Sequence, residues 1–470
     1  MKTPLLQDAA NTPELLQQTL AEAVRYLAQV DDAKVTTPHT GQLLTPLNTQ
    51  GLGAAGALRH FQDHYAHTLS ASPGPRYFGL VTGGSTPAAM MGDWLTAAYD
   101  QNAAGLDGTS TPAIERETVN LLRQLFDLPT EFSGAFVSGA TMSNFVGLAL
   151  ARQWWGRQHG VNVAADGLIG LPKLTILSGA PHSSVFKALS MLGIGRNHIQ
   201  LVPLMAQREA IDIEALRQAL RHQHGAPCIV IGNAGTVNTV DFDDFGALAA
   251  LKHEFNFWLH IDGAFGGFAA ASPHYAYLLA GWQIADSIAI DLHKWLNVPY
   301  DSAVQFSRHL DLQIEVFQNA GAAYMGDIDR RNPPFVHLTP ESSRRWRALP
   351  AWFTLMAYGK AGHSNIVEQC CAHAKALGER IAAEPRLKLL APVRMNVACF
   401  TLANLENEAA DFAANVSRYL AAVNAEGKAY FTPTVYKGVP AIRAAFSNWR
   451  TSAADVAVAW QSLLAHLPRS

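Results

Sequence analysis

The sequence predicts an α/β fold, with a mainly parallel sheet in a large domain and a smaller α+β domain after it. Short β-rich runs alternate with helical patterns between Ser133 and Ser307. Strands that alternate with helices are typical of a parallel sheet covered on both faces. The pattern changes after about Leu338, and a chain of 470 residues exceeds the size at which one hydrophobic core usually stops growing.

The predicted strands of the large domain are short and apolar. We expect them at Gly134–Val137, Leu174–Leu177, Ile199–Leu204, Cys228–Gly232, Phe257–Ile261, Ser287–Ile290 and Ala303–Phe306. Helical patterns lie between several of them, at Asn144–Gln158, Ile213–Arg221 and Asp244–Phe255. In a sheet of this kind, ligands bind at the carboxyl ends of the strands, on the loops that lead into helices.

Three regions are expected along the chain. Residues 1–74 form an N-terminal helical arm, residues 75–338 the large domain and residues 339–470 the small domain. The region from Met325 to Ser343, with its prolines and mixed charge, is the best candidate for a mobile loop. In the small domain we expect helices at Arg345–Gly359 and Ile366–Ala382, strands around Val397–Thr401 and Ala429–Thr432, and a last helix from Ala453.

Composition and charge narrow the classes of partner. The formal net charge is −3 and charged residues make up 16% of the chain, so no broad basic surface favours nucleic acid. Two long uncharged stretches, Ser133–Ala151 and Gly263–Ala285, contain polar residues, which favours buried core over a membrane span. The four cysteines have no Cys-x-x-Cys spacing, so neither a metal site nor a disulfide framework is expected. We expect a cytoplasmic protein, since Asp8 interrupts the N-terminus before any secretory apolar core develops.

Two residues of complementary chemistry follow predicted strands. Asp262 ends the strand Phe257–Ile261, and a carboxylate there requires a cationic or proton-donating partner, because burying an unpaired charge is costly. Lys294 follows the strand Ser287–Ile290, and a lysine held in an apolar site has a lowered pKa that makes its amine a nucleophile. Alone, Asp262 is equally explained by a salt bridge or helix cap, and Lys294 by a solvated ammonium.

Two further segments complete a recognisable set. In Ser138–Asn144 small residues precede a helix start, where backbone N–H groups and the Thr141 or Ser143 hydroxyl suit a phosphate dianion. His182 follows another strand and is flat enough to lie against a ring. Pyridoxal 5'-phosphate needs a lysine for its aldehyde, a carboxylate for its pyridine nitrogen, a phosphate cradle and a flat group against its ring. The combination therefore indicates this cofactor, although each piece alone is weak.

From Pro75 onward the sequence resembles the pyridoxal-phosphate-dependent amino-acid decarboxylases of the glutamate, aromatic-amino-acid and histidine group, known as group II. The resemblance implies the aspartate aminotransferase type I fold, an amino-acid substrate and a homodimer whose sites lie at the subunit interface. Seven motifs in order carry it: Pro75–Gly84, Val137–Asn144, Ala180–Ser184, Asn233–Thr236, His260–Ala264, His293–Trp295 and Ser343–Pro350.

The resemblance also implies a role for each matching position. Lys294 would hold the cofactor as an aldimine, and Asp262 would pair with the pyridine nitrogen. His182 would stack on the ring and assist the substrate, and Tyr324 would protonate the carbon that has lost carboxylate. The other implied contacts are Gly139, Ala140, Thr141 and His293 at the phosphate, Thr236 and Ala264 at the rest of the cofactor, and Thr82 at the substrate carboxylate.

The implied reaction converts an L-amino acid into the corresponding amine and CO2 by way of the Lys294 aldimine and a quinonoid. An aminotransferase, a lyase or a decarboxylating aldehyde synthase on the same fold stays open, as does a member that has lost activity. An aminotransferase would need a cation for the substrate carboxylate. Arg443 is the small-domain arginine that we would nominate, although its position favours a structural role.

Two departures from the family pattern bear on specificity and on cofactor binding. Gly79, Leu80 and Val81 replace a bulkier stretch rich in aromatic residues, so an aromatic substrate is not favoured. Asp291 stands where relatives often have a neutral amide, and a carboxylate aimed at a phosphate would be repulsive. Either Asp291 points away from the phosphate or the phosphate contacts differ from those of the family.

Overall fold

The computed structural model describes residues 3–37, 47, 49–106, 108–319, 328–403 and 412–468. Within them the strands are β1 (Ser133–Val137), β2 (Ile176–Ser178), β3 (Ile199–Leu201), β4 (Cys228–Asn233), β5 (Phe257–Asp262), β6 (Ser287–Asp291), β7 (Ala303–Ser307), β8 (Leu387–Leu389), β9 (Val397–Leu402), β10 (Thr432–Tyr436) and β11 (Val439–Ala445). The α-helices are α1 (Pro4–Ala10), α2 (Thr12–Gln29), α3 (Gly53–His64), α4 (Pro87–Tyr99), α5 (Thr111–Leu125), α6 (Ala140–Gln158), α7 (Val163–Asp166), α8 (Ser183–Met191), α9 (Ile213–Arg221), α10 (Phe245–Glu254), α11 (Leu292–Trp295), α12 (Leu310–Phe317), α13 (Ala348–Ala383), α14 (Phe412–Glu426) and α15 (Ala453–Ala465).

The large sheet has the strand order β1-β7-β6-β5-β4-β2-β3. Its strands from β6 to β3 are parallel to their neighbours, which confirms the predicted mainly parallel sheet. Every residue of β4, β5 and β6 is buried, as expected for strands covered by helices on both faces. Each strand predicted for this domain forms, with β2 starting at Ile176 and β3 ending at Leu201.

One strand of the large sheet runs against the others. β7 is antiparallel to both β6 and β1, which are its two neighbours. Only residues 292–302 connect β6 to β7, and a parallel pair needs a crossover of a dozen or more residues. The short connection therefore forces the chain to turn back, and it carries His293 and Lys294 on a single helical turn.

The small domain is built on an antiparallel sheet of order β10-β11-β9-β8. The two long helices predicted at its start form one element, α13, broken at Gly359, whose φ of 57° interrupts the helix. The strand predicted around Ala429 begins later, at Thr432, because Tyr430 instead forms a bridge with Tyr77. β8 and β11 are not predicted from the sequence.

A buried ion pair fixes the end of β1 that leads into α6. Arg344 and Glu115 are each about 1% exposed, and their closest atoms are 2.7 Å apart. Arg344 Nη2 donates to the carbonyl of Phe136 (2.9 Å), while the Phe136 N–H donates to Glu115 Oε1 (3.1 Å). Losing one partner of such a pair leaves an uncompensated buried charge, so the two residues hold this strand together.

Part of the predicted mobile segment is packed. Phe335, Val336, His337 and Leu338 are buried, so the expectation of a mobile loop is wrong for this stretch. Residues 325–327, at its beginning, lie outside the described residues. Among the described helices, none is long and apolar enough to cross a membrane.

Candidate active site

A cavity of about 360 Å³ lies at the carboxyl ends of β4, β5 and β6 and at the N-termini of α6 and α8. This is the edge at which a parallel sheet is expected to bind ligands. Thr82 is not among the lining residues, and Tyr324 lies outside the described residues. The predicted site residues that line the cavity are Gly139, Ala140, Thr141, His182, Thr236, Asp262, Ala264, His293 and Lys294.

Lys294 is held at the cavity by tight backbone packing. Its carbonyl accepts a hydrogen bond from Asn297 Nδ2 (3.0 Å), and a Cβ at Gly83 would come within 1.6 Å of the same oxygen. Glycine is therefore required at position 83. Lys294 Nζ lies 3.0 Å from Asp291 Oδ2 and 5.7 Å from the centre of the Phe265 ring. The carboxylate partner of the lysine amine is thus Asp291.

Asp262 is bound by neutral donors. Asn144 Nδ2 donates to Asp262 Oδ2 (3.0 Å), and the Ala264 N–H donates to Oδ1 (3.2 Å). The side chain is buried, so these hydrogen bonds offset the loss of solvation. The proton-donating partner that a buried strand end requires is therefore an asparagine from α6, one turn after Ala140.

Asn144 ends a chain of hydrogen bonds that runs in one direction. Trp258 Nε1 donates to Ser287 Oγ (3.0 Å), and Ser287 Oγ lies 2.8 Å from His260 Nδ1. His260 Nε2 lies 2.8 Å from Asn144 Oδ1, which can only accept, so this nitrogen carries the proton. The neutral histidine then accepts from Ser287, and every donor in the chain points toward Asp262. Such chains polarise their members and fix their orientation.

The N-terminus of α6 and His293 converge on one carboxylate oxygen. The Ala140 N–H donates to Asp291 Oδ1 (2.7 Å), and His293 Nε2 lies 3.4 Å from the same atom. His293 Nδ1 accepts from the Ser302 N–H (3.2 Å), so Nε2 carries its proton. Burial lowers the pKa of His293. Asp291 is 4% exposed and lines the cavity, so it does not point away from the predicted phosphate site.

His182 caps α8 and faces the cavity. Its Nδ1 accepts from the Ser184 N–H (3.2 Å) and lies 2.8 Å from Ser184 Oγ. The ring is exposed to the cavity, and desolvation by the surrounding protein lowers its pKa in spite of the nearby Asp262. Desolvation therefore favours the neutral imidazole, and the hydrogen bond from the Ser184 N–H to Nδ1 leaves the proton of that form on Nε2.

Of the two threonines predicted for the site, Thr236 lines the cavity and Thr82 does not. Thr236 lines the cavity and donates through Oγ1 to Glu209 Oε2 (2.6 Å). Thr82 is buried just behind the rim, where its Oγ1 lies 3.4 Å from the Tyr300 hydroxyl. The Tyr300 ring lies 4.3 Å from the ring of His293. Thr82 is thus connected through Tyr300 to His293, a residue of the cavity wall.

Two further charged residues line the cavity: Glu209, which sequence reasoning missed, and Arg443, which it nominated only as the carboxylate-binding cation of an aminotransferase. Glu209 comes from the turn before α9, where no periodic pattern marks a site. Arg443 lies on β11, an unpredicted strand, and donates through Nη1 to the Val237 carbonyl (2.9 Å). Its Nε has no partner among the described residues, and burial lowers its pKa. The structural role favoured from the sequence is therefore incomplete, since Arg443 also faces the cavity.

The lining residues fit pyridoxal 5'-phosphate. They offer an amine at Lys294, an oriented carboxylate at Asp262, an imidazole at His182 and the N–H groups of the α6 N-terminus. These groups lie at the carboxyl edge of a mainly parallel sheet, next to a small antiparallel domain. Fold and site together define a pyridoxal-phosphate enzyme of the aspartate aminotransferase type I fold.

Comparisons with known proteins identify the family within this class of enzymes. A family model described as the pyridoxal-dependent decarboxylase conserved domain matches residues 58–403. An aromatic-L-amino-acid decarboxylase of Bacillus atrophaeus is 26% identical over 395 residues, covering 81% of this chain and 79% of the relative. A phenylacetaldehyde synthase of a Rosa hybrid cultivar is 25% identical over 437 residues, covering 87% and 83%.

Solved structures share the fold. That of Oryza sativa TDC with PLP and tryptamine has a TM-score of 0.89 at 22% identity and covers 98% of each chain. That of mouse CSAD has a TM-score of 0.89 at 22% identity, covering 98% of this chain and all of the other. Because the family model spans most of the sequence, the chain belongs to the pyridoxal-dependent decarboxylase family, a group of carboxy-lyases that use pyridoxal 5'-phosphate.

The donor chain predicts a pH effect on stability. Burial lowers the pKa of His260 to about 4, from about 6.5 in an unfolded chain. Between these values the unfolded chain binds a proton that the folded chain does not, so stability is complete above pH 6.5 and falls as pH drops toward 4. The loss from this residue reaches roughly 3 kcal/mol at pH 4. The slope of the unfolding free energy with pH reports how many protons the chain takes up when it unfolds. We expect His260→Gln to take up about one proton fewer than the wild type between pH 4 and 6.5, measured by urea titration at a series of pH values.

A second buried histidine provides the matched control. Burial also lowers the pKa of His363, on α13 away from the cavity, to about 4. His363→Gln should reduce the slope by a similar amount and leave cofactor affinity unchanged, whereas His260→Gln should also weaken cofactor binding. If His260→Gln kept the wild-type dependence of the unfolding free energy on pH, the lowered pKa of His260 would be contradicted.

Proposed function

We propose that the protein decarboxylates an L-amino acid to the corresponding amine and CO2. The observation that carries the proposal is that Lys294, Asp262 and His182 line one cavity in a chain of the pyridoxal-dependent decarboxylase family. When bound, pyridoxal 5'-phosphate supplies an aldehyde for the lysine amine and a ring that accepts the electrons of the bond broken at the α-carbon.

Each residue has a task set by its position. Lys294 Nζ would hold the cofactor covalently until the amine of a substrate replaces it. Asp262 would hold a proton on the pyridine nitrogen, and the hydrogen bond from Asn144 orients its carboxylate for that task. His182 would lie against the ring and donate from Nε2 to the substrate. The N–H groups at the α6 N-terminus, of which that of Ala140 is the first, would hold the phosphate.

Arg443 supports a substrate that carries a carboxylate. A guanidinium at the cavity wall is suited to bind an anion that enters the cavity. This contact would serve a decarboxylase and an aminotransferase equally. Membership of the decarboxylase family favours the first.

A second candidate function is decarboxylation to an aldehyde. Relatives from a Rosa hybrid cultivar and from Petunia hybrida are phenylacetaldehyde synthases, at 25% identity each. Both outcomes begin with loss of CO2, and they differ in the fate of the α-carbon. The substrate screen therefore has to include aromatic amino acids, although Leu80 and Val81 at the rim do not favour them, and it has to record aldehyde as well as amine.

The test of the proposed function is a cofactor and product assay. We expect the wild-type protein with pyridoxal 5'-phosphate to show the visible absorbance of the lysine-bound cofactor and to release CO2 from at least one L-amino acid. Lys294→Ala should lose the band and more than 99.9% of the activity (roughly 10³-fold), the order of loss expected for a catalytic group. Lys187→Ala, on the exposed surface of α8, is the matched control and should keep both.

The same assay separates cofactor binding from substrate binding. Arg443→Met should keep the absorbance band but raise KM by roughly 30-fold or more, about 2 kcal/mol, because a buried charged partner of the substrate is lost. Transfer of the amine to a keto acid without CO2 release would favour an aminotransferase instead. Absence of the band in the wild type would refute the cofactor role of Lys294.

Tyr324, which lies outside the described residues, is proposed as the acid that protonates the α-carbon after CO2 has left. Without its hydroxyl the carbon is protonated more slowly, and dissolved O2 can oxidise it instead, which with water gives aldehyde, ammonia and H2O2. We expect Tyr324→Phe to keep CO2 release but to divert product from amine to aldehyde, measured by chromatography of both. Tyr277→Phe, an exposed tyrosine elsewhere in the large domain, is the control. An unchanged amine yield in Tyr324→Phe would contradict the role.

A homodimer is proposed from the N-terminal arm. None of the side chains of α1, α2 or α3 is buried, and helices in proteins gain most of their stability from packing. The apolar residues Leu16, Leu20 and Val24 on α2 are between 47% and 63% exposed. We expect a dimer by analytical ultracentrifugation, and a shift toward monomer in a variant with Leu16→Asp and Leu20→Asp. A wild-type monomer would refute this assembly.

A cytoplasmic location is proposed from the cysteines. Cys228, Cys370, Cys371 and Cys399 are all buried and unpaired, as is usual in reducing compartments. Fractionation that recovered the protein with exported material would contradict it.

A further inference from the structure

Asp291 occupies a central position among the polar groups of the cavity. Its Oδ1 accepts from the Ala140 N–H (2.7 Å) and lies 3.4 Å from the proton-bearing nitrogen of His293. Its Oδ2 lies 3.0 Å from Lys294 Nζ. With 4% exposure, the carboxylate is held by these contacts instead of by water.

The same donors define the anion end of the site. The Ala140 N–H belongs to the first residue of α6, where the free N–H groups of a helix and its dipole favour a negative group. A Cβ at Gly139 would lie 3.5 Å from His293 Cε1 and 3.7 Å from Asp291 Oδ1, so helix start, imidazole and carboxylate are packed around one point. Asp291 therefore satisfies groups that a phosphate would also need.

Two anions cannot share these donors without cost. A phosphate bound at the α6 N-terminus would lie within a few ångströms of the carboxylate, and like charges at such distances repel strongly inside a protein. The Lys294 ammonium balances Asp291, but covalent attachment of the cofactor uses that amine. Binding of the cofactor therefore places a phosphate near Asp291 and changes the Lys294 amine, which is the cation that Asp291 contacts.

We propose that the Asp291 carboxylate competes with the phosphate of pyridoxal 5'-phosphate for the α6 N-terminus and His293, and so sets a low affinity for the cofactor in this chain. The inference rests on the proposed function only through the identity of the cofactor. Asp291 acts on binding of the phosphate end and is a positioning residue, not a catalytic one.

The experiment compares a cofactor that carries the phosphate with one that lacks it. Full-length wild type and Asp291→Asn are titrated with pyridoxal 5'-phosphate and with pyridoxal, and the visible absorbance of the lysine-bound form gives each Kd. Asparagine keeps the size of the side chain and removes its charge. The ratio of the two Kd values cancels any effect of Asp291 on the reactivity of Lys294, because both ligands react with the same amine.

We expect Asp291→Asn to lower the Kd of pyridoxal 5'-phosphate relative to that of pyridoxal by at least tenfold, which corresponds to about 1.4 kcal/mol. Inorganic phosphate, titrated by calorimetry, should also bind more tightly to the variant. If the ratio of the Kd of pyridoxal 5'-phosphate to the Kd of pyridoxal falls less than twofold, or rises, the proposal is overturned. Equal shifts for both ligands overturn it too, since they would place the effect of Asp291 on the lysine amine alone.

Asp244→Asn is the matched control. Asp244 caps α10 by accepting from the Ala247 N–H (2.9 Å), is exposed and lies outside the cavity, so the variant has the same change in net charge at another helix start. It should leave the Kd ratio unchanged. If Asp291→Asn does not fold, as judged by circular dichroism, Asp291→Ser replaces it. If the wild type gives no absorbance band, the proposed function fails, while phosphate calorimetry still decides the role of Asp291.

Discussion

The parallel register of β4, β5 and β6 is the constraint on which the site depends. Asn233 pairs with Asp262, and Asp262 with Ala289, so the carboxyl ends of three strands stop at one edge. The Gly263 N–H donates to the Ala289 carbonyl, and the Asp291 N–H to the Ala264 carbonyl, each at 2.9 Å. These bonds extend the pairing beyond the strands into the loops. A shift of one residue would turn Asp262 to the opposite face of the sheet.

The surroundings of Asp262 show how a buried polar network keeps one arrangement. His260 points to the α6 side of the sheet because Gly147 leaves room for it, and a Cβ there would come within 2.6 Å of the ring. The hydrogen bonds from Trp258 through Ser287 and His260 to Asn144 all run toward Asp262, which leaves the histidine neutral and the carboxylate oriented. A fully satisfied network of this kind adds rigidity at a place where an unsatisfied group would be costly.

The sequence was sufficient for those parts of the fold and site that depend on local pattern. Strands that are apolar throughout are marked by composition, and Lys294 and Asp262 were found because they end such strands. The remaining features depend on contacts between distant segments. Arg443 reaches the cavity only because β11 pairs with β9, and the direction of Asp291 depends on a helix start about 150 residues earlier in the chain. No local signal encodes either contact.

The antiparallel placement of β7 also affects the order in which the fold can assemble. β1 lies at the edge of the large sheet and is paired with β7, and 174 residues separate Ser133 from Ser307 along the chain. A ribosome that adds about 5–20 residues per second takes roughly 10–35 s to make that stretch. During that interval an apolar strand and the start of α6 have emerged without their neighbour. The end of the cavity formed by the α6 N-terminus, Asp291 and His293 is thus complete only after β6 and β7 have been made, and until then the exposed edge of β1 is open to pairing elsewhere.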